Sequence, residues 1–359
     1  MSGDIGPERE YIRKRNIRYI YMVLLLLVGI GIGTYSCGIG GGVFDFADAM
    51  EAIRDRLSGV VYNRRDNYWK WLIDGLVFEG TLPRAMGGLL VGAILGVCGA
   101  VMQMCVRNPL ASPYTTGISS AALFGVTLYL VWGFAFIPLG GEFKLMINAF
   151  VFSLVPCFLM ILLSMKTKTT PTMLVLIGIG IMYLFNAFTM MMKYRAEPDV
   201  LRQIQLWSVG TLTGMYWTCI WILIATLIIL VALIYVMSRK LDLLSAGDNF
   251  AQSLGTNPNK VRLTCMLIIS MATAVAVCYA GSIGFVGLIV PHISRIIVGS
   301  KSNMLIPCSA AVGAVLLMGA DTASRLLGIG LPVGAVTALI GAPIFLYILI
   351  KMRTSGWGR

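Results

Sequence analysis

Apolar runs long enough to cross a bilayer follow one another along nearly the whole chain, with charges gathered between them. A helical span needs about 20 consecutive, mostly apolar residues. Ten such runs can be placed, at roughly 18–40, 76–106, 113–137, 143–165, 171–193, 207–237, 261–281, 283–298, 303–326 and 331–352. In a bilayer every backbone polar group must be paired internally, so runs of this kind fold as helices. Composition agrees. The chain is 58% hydrophobic and 12% charged over 359 residues, whereas soluble domains carry about 25% charge. The expected fold is an all-α integral membrane protein of about ten transmembrane helices. The 40 Gly and 13 Pro fit close helix packing and broken spans. The eighth run is short and follows the seventh almost directly, as where a helix is interrupted.

The net charge of +12 points to basic cytoplasmic loops rather than to nucleic acid. Arg9, Arg13, Lys14, Arg15 and Arg18 lead into the first run with no small-residue cleavage site after it, so that run is expected to be a span. With the N-terminus inside, 17 Lys and Arg fall in inner segments and 11 in outer ones. Both termini are therefore expected to be cytoplasmic. The outer loop 42–75 is long and charged, and counts for less because long loops cross regardless of charge. The expected division is a cytoplasmic segment 1–17, a transmembrane domain 18–353 with a cytoplasmic loop 238–260, and a tail 354–359.

Two stretches form a weak internal repeat, 82–117 and 261–299. Each starts near an Arg, runs through small apolar residues and ends in a Pro-containing segment. In repeat transporters the path lies near the repeat interface.

Enzyme signatures are missing. There is no GxxxxGK[ST] phosphate loop, no HExxH and no GxSxG. His292 is the one histidine, and it is expected to bond a backbone carbonyl near the inner end of its helix. The eight cysteines contain no CxxC pair and read as small apolar fillers, so no metal site is expected. Asp321 is the clearest acid in a span, with Arg325 four residues on, which suggests a local ion pair. Gly87, Gly88, Gly92, Gly96 and Gly99 give GxxxG-like spacing and are expected to pack helices. Gln103 sits at membrane depth, where it either bonds across helices or faces the translocation path. After Asn108, Pro109 stops the second span and the Asn side chain caps the turn. Between the sixth and seventh spans, Phe250, Ala251 and Leu254 recur at helical spacing after Gly247 and Asp248, with Gly255 as a stop and Pro258 beyond. One or two short amphipathic helices are expected there.

Five segments, in order, resemble the FecCD-type permeases, the membrane subunits of ATP-driven importers of iron-siderophores, haem and cobalamin. They are LPR at 82–84 running on to Asn108-Pro109-Leu110-Ala111, then QLWSVGTL at 205–212, LSAGDNFAQSLGTNPNKVR at 244–262, AGSIGFVGLIVPHISR at 280–295 and LPVGAVTALIGAPIF at 331–345. The resemblance covers about residues 18–353. It implies a homodimeric pore working with two ATP-binding-cassette ATPase subunits and an extracytoplasmic substrate-binding protein. ATP and Mg would belong to the ATPase, leaving no cofactor and no catalysis on this chain. It also implies that the 244–262 segment is the coupling loop, with Leu244, Gly247, Asp248, Ala251, Leu254 and Gly255 at the ATPase. Arg84 and Arg325 would meet the binding protein. Gln103, Asn108 and Pro109 are candidates for the pathway or its gate. The family often carries a further basic residue just before LPR, where this chain has Thr81. The rival readings are an ion-coupled secondary transporter and a membrane enzyme or structural component. Scarce buried carboxylates, the coupling-loop match and the missing catalytic motifs count against them.

Overall fold

The computed structural model describes residues 7–137, 143–166, 170–328 and 331–354. Residues 1–6 of the N-terminal segment, the inner Lys168 and the tail 355–359 lie outside the described residues. In chain order the helices are α1 (Pro7–Cys37), α2 (Phe46–Leu57), α3 (Tyr68–Leu76), α4 (Leu82–Val106), α5 (Ile118–Trp132), α6 (Phe143–Lys166) and α7 (Pro171–Lys193). They continue with α8 (Pro198–Val209), α9 (Trp217–Ala246), α10 (Asp248–Ser253), α11 (Pro258–Ala280), α12 (Val286–Val298), α13 (Ser302–Leu326) and α14 (Val333–Thr354). No strand occurs among the described residues. Among the described residues, seven helices are long and apolar enough to cross a membrane, and three shorter apolar ones (α5, α12 and the first part of α14) fall on the remaining expected runs.

Helix α4 is the axis of the bundle. Nearly all of its apolar window is buried, and α1, α9, α11, α12 and α13 pack around it. That approach depends on missing side chains. A methyl built on Gly92 would lie 2.3 Å from the carbonyl oxygen of Gly313, and one on Gly313 would lie 2.1 Å from that of Gly92. One turn along, a methyl on Gly96 would stand 2.2 Å from the Ser309 oxygen. A Cβ is excluded at such distances, so the glycine spacing of α4 is a helix-packing device, as expected.

Several boundaries depart from the sequence reading. The outer loop 42–75 holds the helices α2 and α3, closed over a small core of Phe44, Ala49, Ala52 and Val77. Asp45 and Asp48 form a reciprocal cap at the start of α2. Lys70 joins Glu51 at 2.7 Å and Arg56 joins Asp74 at 3.3 Å. A π-turn, Val77–Thr81, then splices α3 onto α4, so one helical rod runs from Tyr68 to Val106. The indole Nε1 of Trp217 donates to the Phe78 carbonyl of that turn at 2.8 Å. The expected run 207–237 is two elements. Helix α8 stops at Gly210, and α9 runs from Trp217 to Ala246, past Arg239, Lys240 and Asp242. It does not end at Asp242 because that carboxylate faces α13, accepting from the Ser302 amide at 2.9 Å.

The two suspected repeat copies share a plan. Long α4 is followed by an interruption and short α5, and long α11 by an interruption and short α12. The eight cysteines are all buried and outside any disulfide.

Candidate functional site

One end of the bundle gathers Arg107, Asp248, Arg262, His292, Arg295 and Ser302. Here α4 terminates with Arg107 in a left-handed conformation (φ 47). The last four carbonyls of a helix lack intrahelical partners and carry partial negative charge. Arg262, from the first turns of α11, supplies both a donor and a cation. Its Nε donates to the Cys105 carbonyl at 2.9 Å. Its Nη1 reaches Asn259 Oδ1 at 3.2 Å, and its Nη2 reaches both carboxylate oxygens of Asp248 at 2.9 and 3.1 Å. Arg262 is 1% exposed. A buried guanidinium therefore fastens the start of α10 to the ends of α4 and α11. The charge count registers Arg262 only as one more inner cation. Its role was not legible because Asp248 and Cys105, the partners that make it a brace, lie 14 and 157 residues away.

The expected coupling residues divide by burial. Leu244 and Ala251 are fully buried and hold the turn from beneath. Asp248 is spent on Arg262. Phe250 and Leu254, 51% and 56% exposed, project from the segment beside the open Gly255. The region 238–260 thus reduces to a short knob, α10 with its flanking turns, on a buried ionic base.

Gln103 bonds across helices, the first of the two parts left open for it. Its Nε2 donates to the Leu288 carbonyl of α12 at 3.1 Å, and its Oε1 accepts from Arg295 Nη1 at 2.6 Å. It also lines a cavity of about 240 Å³, with Met104, Arg107, Pro109, Ser245 and Arg295. Pro109 reaches the same cavity, and its carbonyl pairs with His292 Nε2 at 2.9 Å, as the sequence led one to expect of the lone imidazole. Asn108 caps its own turn, Oδ1 accepting from the Leu110 amide at 2.9 Å.

At the opposite end the expected Asp321–Arg325 pair is replaced by another. Asp321 is fully buried, and its carboxylate is gripped by Arg84 from α4, Nη2 at 2.7 Å and Nε at 3.1 Å. Arg325 turns away to the end of α1. Its Nη1 donates to the Ser36 carbonyl at 2.8 Å, and its Nη2 bonds the Ile39 carbonyl. The carbonyls of the turn that ends α1 accept from Arg325, and Asp321 already has its cation in Arg84. Both residues expected to meet a binding protein thus have internal partners, although Arg84 keeps 21% of its side chain exposed. Arg54, Arg64 and Arg65 stand exposed on the α2–α3 segment.

A bundle of apolar helices around a buried axis, with a braced knob at one end, is the architecture of a polytopic membrane protein. The model of the FecCD transport family matches residues 21–351. The permease of an iron(3+)-hydroxamate import system of Bacillus subtilis is 36% identical over 282 residues, 77% of this chain and 72% of that one. The permease of a hemin transport system of Yersinia pestis is 37% identical over 276 residues, 76% and 82% of the two chains. Among solved structures, a metal-chelate type ABC transporter in an inward-facing conformation superposes with a TM-score of 0.78 at 29% identity, over 92% of this chain and 99% of that one. The chain belongs to the FecCD transport family. It is an ABC transporter permease, a multi-span protein of the cytoplasmic membrane.

Proposed function

We propose that two copies of this chain form the pore of an importer for a metal chelate, with an iron-siderophore first and haem or cobalamin next. In this reading two ATPase subunits bind the knob at α10, and an extracytoplasmic binding protein delivers the chelate to the opposite end. Transport proceeds by alternating access between inward-open and outward-open states. ATP acts only through contacts that differ between those states. Both termini are cytoplasmic. Leu244, Gly247, Asp248, Ala251 and Gly255 shape and brace the coupling segment, and Leu254, with Phe250, touches the ATPase. Gln103 and Pro109 act at the inner end of the path, with Asn108 fixing their turn. Arg84 and Arg325 stay candidates for docking, joined by Arg54, Arg64 and Arg65.

The observation that carries this reading is the brace from Arg262 to Asp248 and the Cys105 carbonyl. A loop that merely connected two spans would not need a buried ion pair. A knob that must pass force from a partner into α4, α9 and α11 does. Permeases about equally similar to this one serve iron-hydroxamate and hemin systems, which supports a chelate without choosing among chelates.

The test is co-purification with the ATPase encoded nearby, comparing the wild type with the Phe250→Asp, Leu254→Asp double variant. Removing two exposed apolar anchors should weaken capture at least about tenfold, with the thermal midpoint of the permease unchanged. Equal capture by both proteins would move the coupling site elsewhere. No capture by a well-folded wild type, with uptake that collapses with the ion gradient, would support a secondary transporter.

A further inference from the structure

A groove of about 410 Å³ runs between α1 and α12, lined by Tyr21, Leu24, Leu25, Val28, Ile296 and Ile297. Its walls are apolar apart from the tyrosine hydroxyl. It opens toward the surroundings, Ile296 being 80% exposed.

A cation stands at its basic end. Arg18, Tyr21, Leu25 and Val28 recur at helical spacing on α1, so the guanidinium lies one turn beyond the groove's last aromatic. Arg18 is also beside Gly299, just after α12, where a built methyl would sit 3.7 Å from Arg18 Nη2. Among the described residues, no carboxylate pairs with Arg18. Arg15 precedes it by one turn, and Lys301 follows Gly299 by two residues.

Depth identifies the level of this cation. From Arg18 to Cys37, α1 rises about 30 Å, the thickness of the hydrocarbon core. Cys37 marks the opposite end, its carbonyl accepting from Thr81 Oγ1 at 3.0 Å. Arg18 therefore sits where phospholipid phosphates lie, and the groove descends from it for about 10 Å between Tyr21 and Val28. An apolar groove that begins at a cation at phosphate depth matches the two parts of a phospholipid, its headgroup and its acyl chain.

We infer that the α1–α12 groove is a binding site for an anionic phospholipid. One acyl chain lies against Leu24, Leu25, Val28, Ile296 and Ile297, and the headgroup phosphate accepts from Arg18. The lipid then links α1 to α12, the helix that carries His292 and Arg295 toward the inner end of α4.

The full chain is reconstituted in bilayers of equal phosphatidylglycerol and phosphatidylcholine, and retained lipid is counted by native mass spectrometry. The wild type should hold phosphatidylglycerol over phosphatidylcholine by about fivefold, as expected for one basic residue at the membrane surface. Arg18→Gln should erase the preference but keep a bound lipid, and Arg18→Lys should retain it. Val28→Trp should lower retention of both lipids by filling the groove. Should Arg18→Gln fail to fold, loss of the wild-type preference in 1 M salt is the equivalent test, because screening there acts within about 3 Å. Equal retention of the two lipids by the wild type would overturn the proposal. So would an unchanged preference in Arg18→Gln, or Val28→Trp changing the number of protein copies per particle in place of the lipid count.

Discussion

Replacing Arg262 by Met isolates the brace beneath α10, the proposed coupling knob. The thioether chain fills the channel of the arginine stem, so packing is largely kept while four hydrogen bonds go. The Cys105 carbonyl then loses a donor, at about 1–3 kcal/mol. Asp248, 28% exposed, recovers water once its partner is gone, so Arg262→Met should destabilise by about 2–3 kcal/mol. Asp248→Ala is the harsher change although Asp248 is the more exposed partner. It strands a guanidinium with 1% exposure, and a buried charge left without its partner costs about 3–5 kcal/mol. In the double variant neither charge is stranded, and its loss should fall short of the summed single losses by at least about 1.5 kcal/mol. Unfolding in mixed micelles of a denaturing and a mild detergent measures the three differences. Uptake and ATP hydrolysis by the reconstituted importer give a second readout, with hydrolysis persisting in Arg262→Met while uptake falls. Single losses that add within about 0.5 kcal/mol, or Asp248→Ala milder than Arg262→Met, would refute the reasoning.

At the opposite end, Arg84→Met should destabilise by about 3–5 kcal/mol because it strands the fully buried Asp321 carboxylate; adding Asp321→Ala should restore a measurable part, whereas adding Arg325→Met should not, and a thermal-shift series on the three proteins decides. Gly92→Ala forces a methyl against the Gly313 carbonyl and should lower stability by about 1–3 kcal/mol, while Gly31→Ala, where the space is open, should leave it within about 0.5 kcal/mol; equal losses would show that the α4–α13 contact is looser than described.

The apolar runs were legible because a bilayer permits few backbone solutions, and a long uncharged stretch admits only one of them. The glycine spacing of α4 could be read in the same way, since small residues at every fourth position have little other use inside a bundle. The ionic contacts were legible only in part. Adjacency on one helix favours Asp321 with Arg325, yet Arg84 arrives from a helix 237 residues away in sequence, and the carbonyls ending α1 draw Arg325 off. Arg262 was opaque for the same reason. The hairpin α2–α3 escaped notice because its core is four small or isolated side chains among charges, too few to set a period. The sixth run is expected to end at 237, before the charged Arg239, Lys240 and Asp242, yet α9 continues through them because Asp242 faces the first amide of α13. The resemblance marks 244–262 as the expected coupling segment, but it could not separate Leu244 and Ala251, which are buried beneath it, from Phe250 and Leu254, which project from it.

The close contact of Gly92 with Gly313 limits how this permease can change over generations. An arginine and an aspartate that meet across two helices can trade places, or be replaced together by apolar side chains. Two glycines offer no such exchange, because neither has anything left to give up when the other grows. A suppressor selection begun from Gly92→Ala should therefore return reversions at position 92 and no rescuing substitution at position 313. In this seam heredity has one acceptable state, while the ionic contacts at either end of the bundle leave room for drift.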